Sequence, residues 1–140
     1  MKRTHFMMLA SIVAGVFLLM SFVIPQEQKK PSPWTVPADY VKKANPYNKQ
    51  AADLEQVGKM LWAKHCKSCH GNNGHGDGPK SRQLDTNPGD FTVGSFQTQP
   101  DGSLYYKSFV GRDEMPNYEK KIPDEEDRWA LIIYMRSMGK

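Results

Sequence analysis

The chain has 140 residues, which bounds it to one domain. Its formal charge of +4 includes Lys2 and Arg3; without residues 1–24 the balance is 17 basic against 15 acidic side chains. That near-neutral balance, with no run of like charge and no basic–aromatic interleaving, excludes a nucleic-acid partner.

The first distinctive stretch is Phe6 to Ile24, FMMLASIVAGVFLLMSFVI, nineteen residues without a charge behind the basic start Met1-Lys2-Arg3. A charged start before an apolar run marks an export signal or a membrane anchor. The length favours an uncleaved anchor, since signal cores run roughly 7–15 residues and a span needs about 17–25. Ser21-Phe22-Val23 is a poor cleavage site, and no nearby cysteine is available for lipid attachment. On either reading the chain beyond Pro25 is expected on the far side of the membrane, with Lys2 and Arg3 left inside. Lys29 and Lys30 weaken that orientation signal without reversing it. The expected location is periplasmic or on the outer face of the cytoplasmic membrane.

Residues 25–52 carry five of the ten prolines: Pro25, Pro31, Pro33, Pro37 and Pro46. Proline removes backbone donors and stiffens the chain into extended forms. A tether is expected whose second half packs on the domain through Trp34, Val36, Tyr40 and Tyr47; a free linker is the alternative.

A domain is expected over residues 53–140. Asp53 to Cys69 reads as a helix: Asp53 suits its start, Glu55 its first turn, and Leu54, Val57 and Leu61 step at three and four. Gly58 within it costs about 1 kcal/mol and suits a point of close helix approach. Gly71 to Gly94 reads as loop from its glycines and prolines. Ser103 to Val110 forms a short helix ending at Gly111, and a loop follows. The last helix has Pro123 at its start, acids Asp124 to Asp127 in its first turn and Gly139 near its end. No strand and no repeat is evident, so the fold class is all-α with long loops. A core built from so few short helices is modest, and something else must fill the middle.

The stretch His65 to Pro79, HCKSCHGNNGHGDGP, holds both cysteines of the chain and three of its four histidines. A structural zinc ion wants four ligands, often in two separated pairs, and no second pair exists. A redox dithiol sits at a helix start after a strand, whereas this pair sits at a helix end. A plain disulfide across so short a loop gives little stabilisation and leaves the trailing histidine unexplained. Cys66-x-x-Cys69-His70 is the attachment signature of c-type haem. Two thiols three apart on a helical turn face the same way and suit the two vinyl groups of one haem, with His70 directed at the iron. The apolar macrocycle also supplies the missing core.

On these residues the chain resembles the class I cytochromes c over roughly residues 53 to 139. Gly58 and Trp62, eight and four residues before Cys66, and Leu131 with Tyr134 in the last helix match further marks of that family. The resemblance implies a small helical bundle wrapped around one covalent haem c, with the first and last helices crossed. It implies an electron carrier rather than an enzyme, cycling Fe(III)/Fe(II) in a respiratory chain and passing electrons between partner proteins. A haem enzyme or sensor with an open iron position is the alternative, as is a subunit of a larger respiratory complex.

The resemblance also implies a distal ligand from a loop methionine ahead of the last helix. Met115, in the loop before Pro116, fits; Met60 or no protein ligand are the alternatives. Pro79 is expected to offer its carbonyl to the other nitrogen of His70. Arg112 is expected either to meet a haem propionate or to be an ordinary surface arginine. His65 and His75 are expected to be surface or loop histidines. Lys64, Lys67, Lys80, Lys107, Lys120 and Lys121 are expected on the solvated surface, or around the haem edge facing an acidic partner.

Overall fold

The computed structural model describes residues 28–30 and 32–139. The expected signal or anchor at residues 1–24 therefore lies outside the described residues, as does the start of the arm. Six α-helices occur among the described residues: α1 (Ala38–Val41), α2 (Ala51–His65), α3 (Lys67–His70), α4 (Gly94–Gln97), α5 (Asp101–Val110) and α6 (Glu125–Ser137). Two turns of 3-10 helix lie at Asn48–Gln50 and Ser81–Gln83. Extended pairing among the described residues is confined to two isolated bridges, Lys29 with Thr86 and Arg112 with Met115. The class is all-α, as expected.

The expected first helix is two pieces. α2 ends at His65, and Cys66, at φ −115°, breaks the run before α3. The short α3 then carries Lys67, Ser68, Cys69 and His70. α6 begins two residues later than Pro123. Asp124 is its cap, accepting a hydrogen bond from the Glu126 amide at 2.8 Å, with Glu125, Glu126 and Asp127 in the first turn. These acids stabilise the positive end of the helix. α5 starts at Asp101 rather than Ser103, behind Pro100.

α2 and α6 pack together along their length, and Gly58 marks their closest approach. A methyl group there would lie 2.7 Å from the Ala130 carbonyl carbon and 2.8 Å from Tyr134 Cβ. Trp62, one turn further along α2, is buried and meets Tyr134 edge-on at 6.1 Å. The core is completed by Leu104, Tyr105 and Phe109 from α5, by Ile122, and by Trp129, Leu131, Ile132 and Met135 from α6. Each large apolar side chain so buried contributes about 1.5–3 kcal/mol relative to exposure. Arg128 braces the chain before α6, donating to the carbonyls of Ile122 (2.7 Å) and Glu119 (2.9 Å) and to the Tyr105 hydroxyl (3.2 Å).

Over its described part the arm is not a free linker. It runs against the domain from Gln28, and α1 packs on α5, where Tyr40 meets Tyr106 at 4.9 Å and Tyr105 at 6.4 Å. Asn45 is buried and donates to the Trp129 carbonyl at 3.4 Å, fixing the turn that leads into α2.

Candidate functional site

Between α2–α3 on one side and α5, α6 and the Met115 loop on the other lies a cavity of about 420 Å³. Cys66, Cys69, His70, Arg112 and Met115 all line it. Its apolar walls include Trp62, Phe91, Leu104, Phe109, Leu131 and Met135.

His70 is set by local structure before any ligand is considered. It closes α3, and Gly71 follows at φ 83°, a conformation open to glycine and strained for other residues. The loop then folds back on α3: Gly76 N–H donates to the His70 carbonyl (2.9 Å), Gly78 N–H to Cys69 (3.2 Å) and Lys80 N–H to Ser68 (2.8 Å). Trp62 Nε1 donates to the Gly71 carbonyl at 2.9 Å, tying the loop to α2. The imidazole is held between Trp62 (5.8 Å) and Phe91 (4.7 Å), and Phe91 stacks on Phe96 at 4.1 Å.

His70 is 8% exposed, and its Nδ1 is enclosed with no partner of ordinary hydrogen-bond geometry. Burial pushes its pKa down to about 4, with the Pro88 backbone acting in the opposite direction. The ring is therefore neutral at pH 7, the form that gives a lone pair to a metal. Pro79 is exposed and does not line the cavity; it occupies the turn between the Gly78 and Lys80 bonds to α3. Pro88, not Pro79, lines the cavity with His70, and its carbonyl makes no bond of ordinary geometry to Nδ1. Sequence spacing alone misled, because the loop after α3 doubles back before approaching the ring.

Both cysteines are free and partly buried. Burial, and after it the neighbouring Cys69, pushes the Cys66 thiol up to about 12. A redox-active dithiol needs a stabilised thiolate, and this environment opposes one. Among the described residues no three His, Cys, Asp or Glu side chains gather where they can hold a metal ion, so a four-donor zinc site is not assembled there.

Met115 is partly buried, whereas Met60 is 57% exposed on α2 and lies off the cavity wall. Met135 also reaches the cavity, but from α6, and it is buried in the core. Tyr118 links the two sides: its hydroxyl donates to the His65 carbonyl (3.0 Å) and its amide to the Phe109 carbonyl (3.0 Å). The guanidinium of Arg112 hydrogen-bonds to the arm, at the carbonyls of Ser32 and Pro33. Arg112 thus bridges the arm and the cavity wall.

The other two histidines differ. His75 is exposed, 3.3 Å from Asp90. His65, expected at the surface, lines the cavity with its Nε2 enclosed and unpartnered, and burial lowers its pKa. Of the expected surface lysines, Lys107 lines the cavity, where burial lowers its pKa; Lys64, Lys67, Lys80, Lys120 and Lys121 are exposed.

The sequence model of cytochrome c matches residues 55–139, more than half of the chain. The chain belongs to the cytochrome c family. No curated protein matches it. Membership of the cytochrome c family carries electron transfer by a covalently held haem c, and the cavity's residues fit that group: the paired Cys66 and Cys69 on one wall, a buried neutral imidazole beside them, and apolar walls. Phe91, Pro88 and Tyr118 were missed as site residues by sequence reading. The signal lay in NPGDF, where an aromatic residue stands in an otherwise polar loop.

Proposed function

We propose that this cytochrome c is a one-electron carrier with a single haem, joined through Cys66 and Cys69 and ligated by His70 and Met115. The observation that carries the reading is the shared cavity: the two thiols and the imidazole lie on one wall, and Met115 is on the loop that also lines it. The haem supplies the Fe(III)/Fe(II) couple. The chain's own residues hold it and tune it. Trp62 and Phe91 fix the plane of the His70 ring. Pro88 lines the same cavity, and a small shift of its loop would offer a carbonyl to the second nitrogen of His70, an acceptor that raises ligand basicity. The Met115 thioether, a soft and neutral donor, favours ferrous iron and raises the reduction potential. Were His70 and Met115 both to hold the iron, exogenous ligands would be kept off it, which would suit a carrier rather than an enzyme.

The exported face of a membrane is the proposed location, with residues 1–24 as signal or anchor and the electrons moving within a respiratory chain. Donor and acceptor are redox proteins that meet the haem edge. No helix of the described residues is long and apolar enough to cross a membrane.

Carbon monoxide tests the carrier reading. The reduced holoprotein is expected to bind it slowly and incompletely, and Met115→Ala to bind it readily. Rapid, complete binding by the unmodified protein would favour a haem enzyme or sensor.

A further inference from the structure

We infer that the N-terminal arm is part of the haem site, holding the Met115 turn in place with Arg112 as a positioning residue. The inference rests on the reading of Met115 as an iron ligand.

Residues 112–115 form a tight turn closed by two backbone bonds. The Arg112 amide donates to the Met115 carbonyl and the Met115 amide to the Arg112 carbonyl, both at 2.8 Å. Within it Asp113 has φ 48°, a left-handed conformation that disfavours a residue with a side chain. A turn of this kind persists only where its surroundings hold it. Both of its flanking charged side chains are held, and both lead to the arm.

Arg112 leads there directly. Nη1 donates to the Pro33 carbonyl at 2.9 Å, Nη2 donates to the Ser32 carbonyl, and the guanidinium carbon lies 4.1 Å from the centroid of the Trp34 ring. Two carbonyls and an aromatic face together match a planar fork, which lysine cannot reproduce. Trp34 is itself seated, edge-on to Tyr106 at 6.5 Å.

Glu114 leads there through a second segment. Its carboxylate accepts from the amides of Asp85 (3.1 Å) and Thr86 (2.9 Å). The same segment is paired with the arm: Lys29 N–H donates to the Asp85 carbonyl (2.9 Å) and Asn87 N–H to the Lys29 carbonyl (3.2 Å). Gln28 Nε2 adds a bond to the Leu84 carbonyl at 3.1 Å. Pro88, which lines the cavity with His70, is the next residue after Asn87. The arm thus ties down both the Met115 turn and the segment leading to Pro88, two parts of the cavity wall.

The arm therefore limits how far Met115 can leave the iron. Imidazole binding to the ferric full-chain holoprotein, which must displace Met115, reads this out. Trp34→Ala and Arg112→Ala are each expected to raise the binding rate about tenfold, the effect of losing a charge-assisted contact. Arg112→Lys is expected to behave like the alanine variant, and hydrogen exchange at the Asn87 amide is expected to speed up in Trp34→Ala. Unchanged or slower imidazole binding in both alanine variants would overturn the inference. If Arg112→Ala fails to mature, Trp34→Ala alone decides, because its partly exposed ring stands outside the core. A native protein without a sulfur-to-iron charge-transfer band would instead refute Met115 ligation; a native band with unchanged imidazole rates refutes only the role of the arm.

Discussion

Gly58 faces the backbone of Ala130 so closely that a methyl group at its position would lie 2.7 Å from the Ala130 carbonyl carbon. The glycine costs α2 about 1 kcal/mol of helix propensity relative to alanine. Gly58→Ala recovers that amount and loses more, because the nearest atoms are backbone and cannot swing aside. The net effect is expected to be destabilisation by about 1–3 kcal/mol, as in other overpacked cores. A lower thermal midpoint of the holoprotein checks it; an unchanged or raised midpoint would show that α2 and α6 are not so close.

Trp62 joins α2 to the loop behind His70 through its 2.9 Å bond to the Gly71 carbonyl. Trp62→Phe keeps an aromatic ring in the core and deletes the donor. The carbonyl left without a partner is expected to cost about 1–3 kcal/mol. Denaturant unfolding measures this directly, and a cost near zero would place the indole N–H elsewhere.

Lys43 and Glu125 form an ion pair at 2.9 Å between the turn after α1 and the start of α6. The Lys43 bond holds the Glu125 carboxyl below its usual 4.5, and the Glu125 bond raises Lys43 above 10.5. A carboxyl lowered on folding stabilises above its unfolded pKa and loses that contribution as pH falls through the folded value. An ammonium raised on folding stabilises below 10.5 and loses its contribution as pH rises beyond. The pair is exposed, so Glu125→Gln is expected to cost under about 1 kcal/mol at pH 7. At pH 3 the gap from the unmodified protein is expected to narrow. Thermal midpoints of both proteins at the two pH values test the sign; a gap that widens in acid contradicts it.

Met115 and Met135 both reach the cavity, and only the first sits on a loop free to serve the iron. Met115→Ala is expected to abolish the sulfur-to-iron absorption of the ferric protein. Met135→Leu, a swap of similar volume in the core, is expected to retain it at a cost under about 1.5 kcal/mol. The opposite pattern would move the ligand to α6.

What could be read in the sequence was local. The Cys66-x-x-Cys69-His70 spacing named its chemistry because neighbouring residues on a helical turn must share a face. The acids after Pro123 located the last helix because a helix start favours negative charge. Gly58 and Trp62 marked the helix contact through size and position. What escaped depended on where loops return. Pro88 lies eighteen residues beyond His70, and nothing in the intervening glycine-rich stretch says that the chain doubles back. The bonds from Arg112 to the arm could not be read either, because the backbone of Ser32 and Pro33 is eighty residues away and has no sequence signature. The break at Cys66 escaped too, since the apolar stripe runs on through it.

The mass of the mature, denatured protein after thiol alkylation tests the central claim most directly, in a host that attaches haem to exported chains. The predicted result is a polypeptide heavier by one haem, with neither Cys66 nor Cys69 alkylated. A chain of unmodified mass carrying two alkylated thiols would contradict the account.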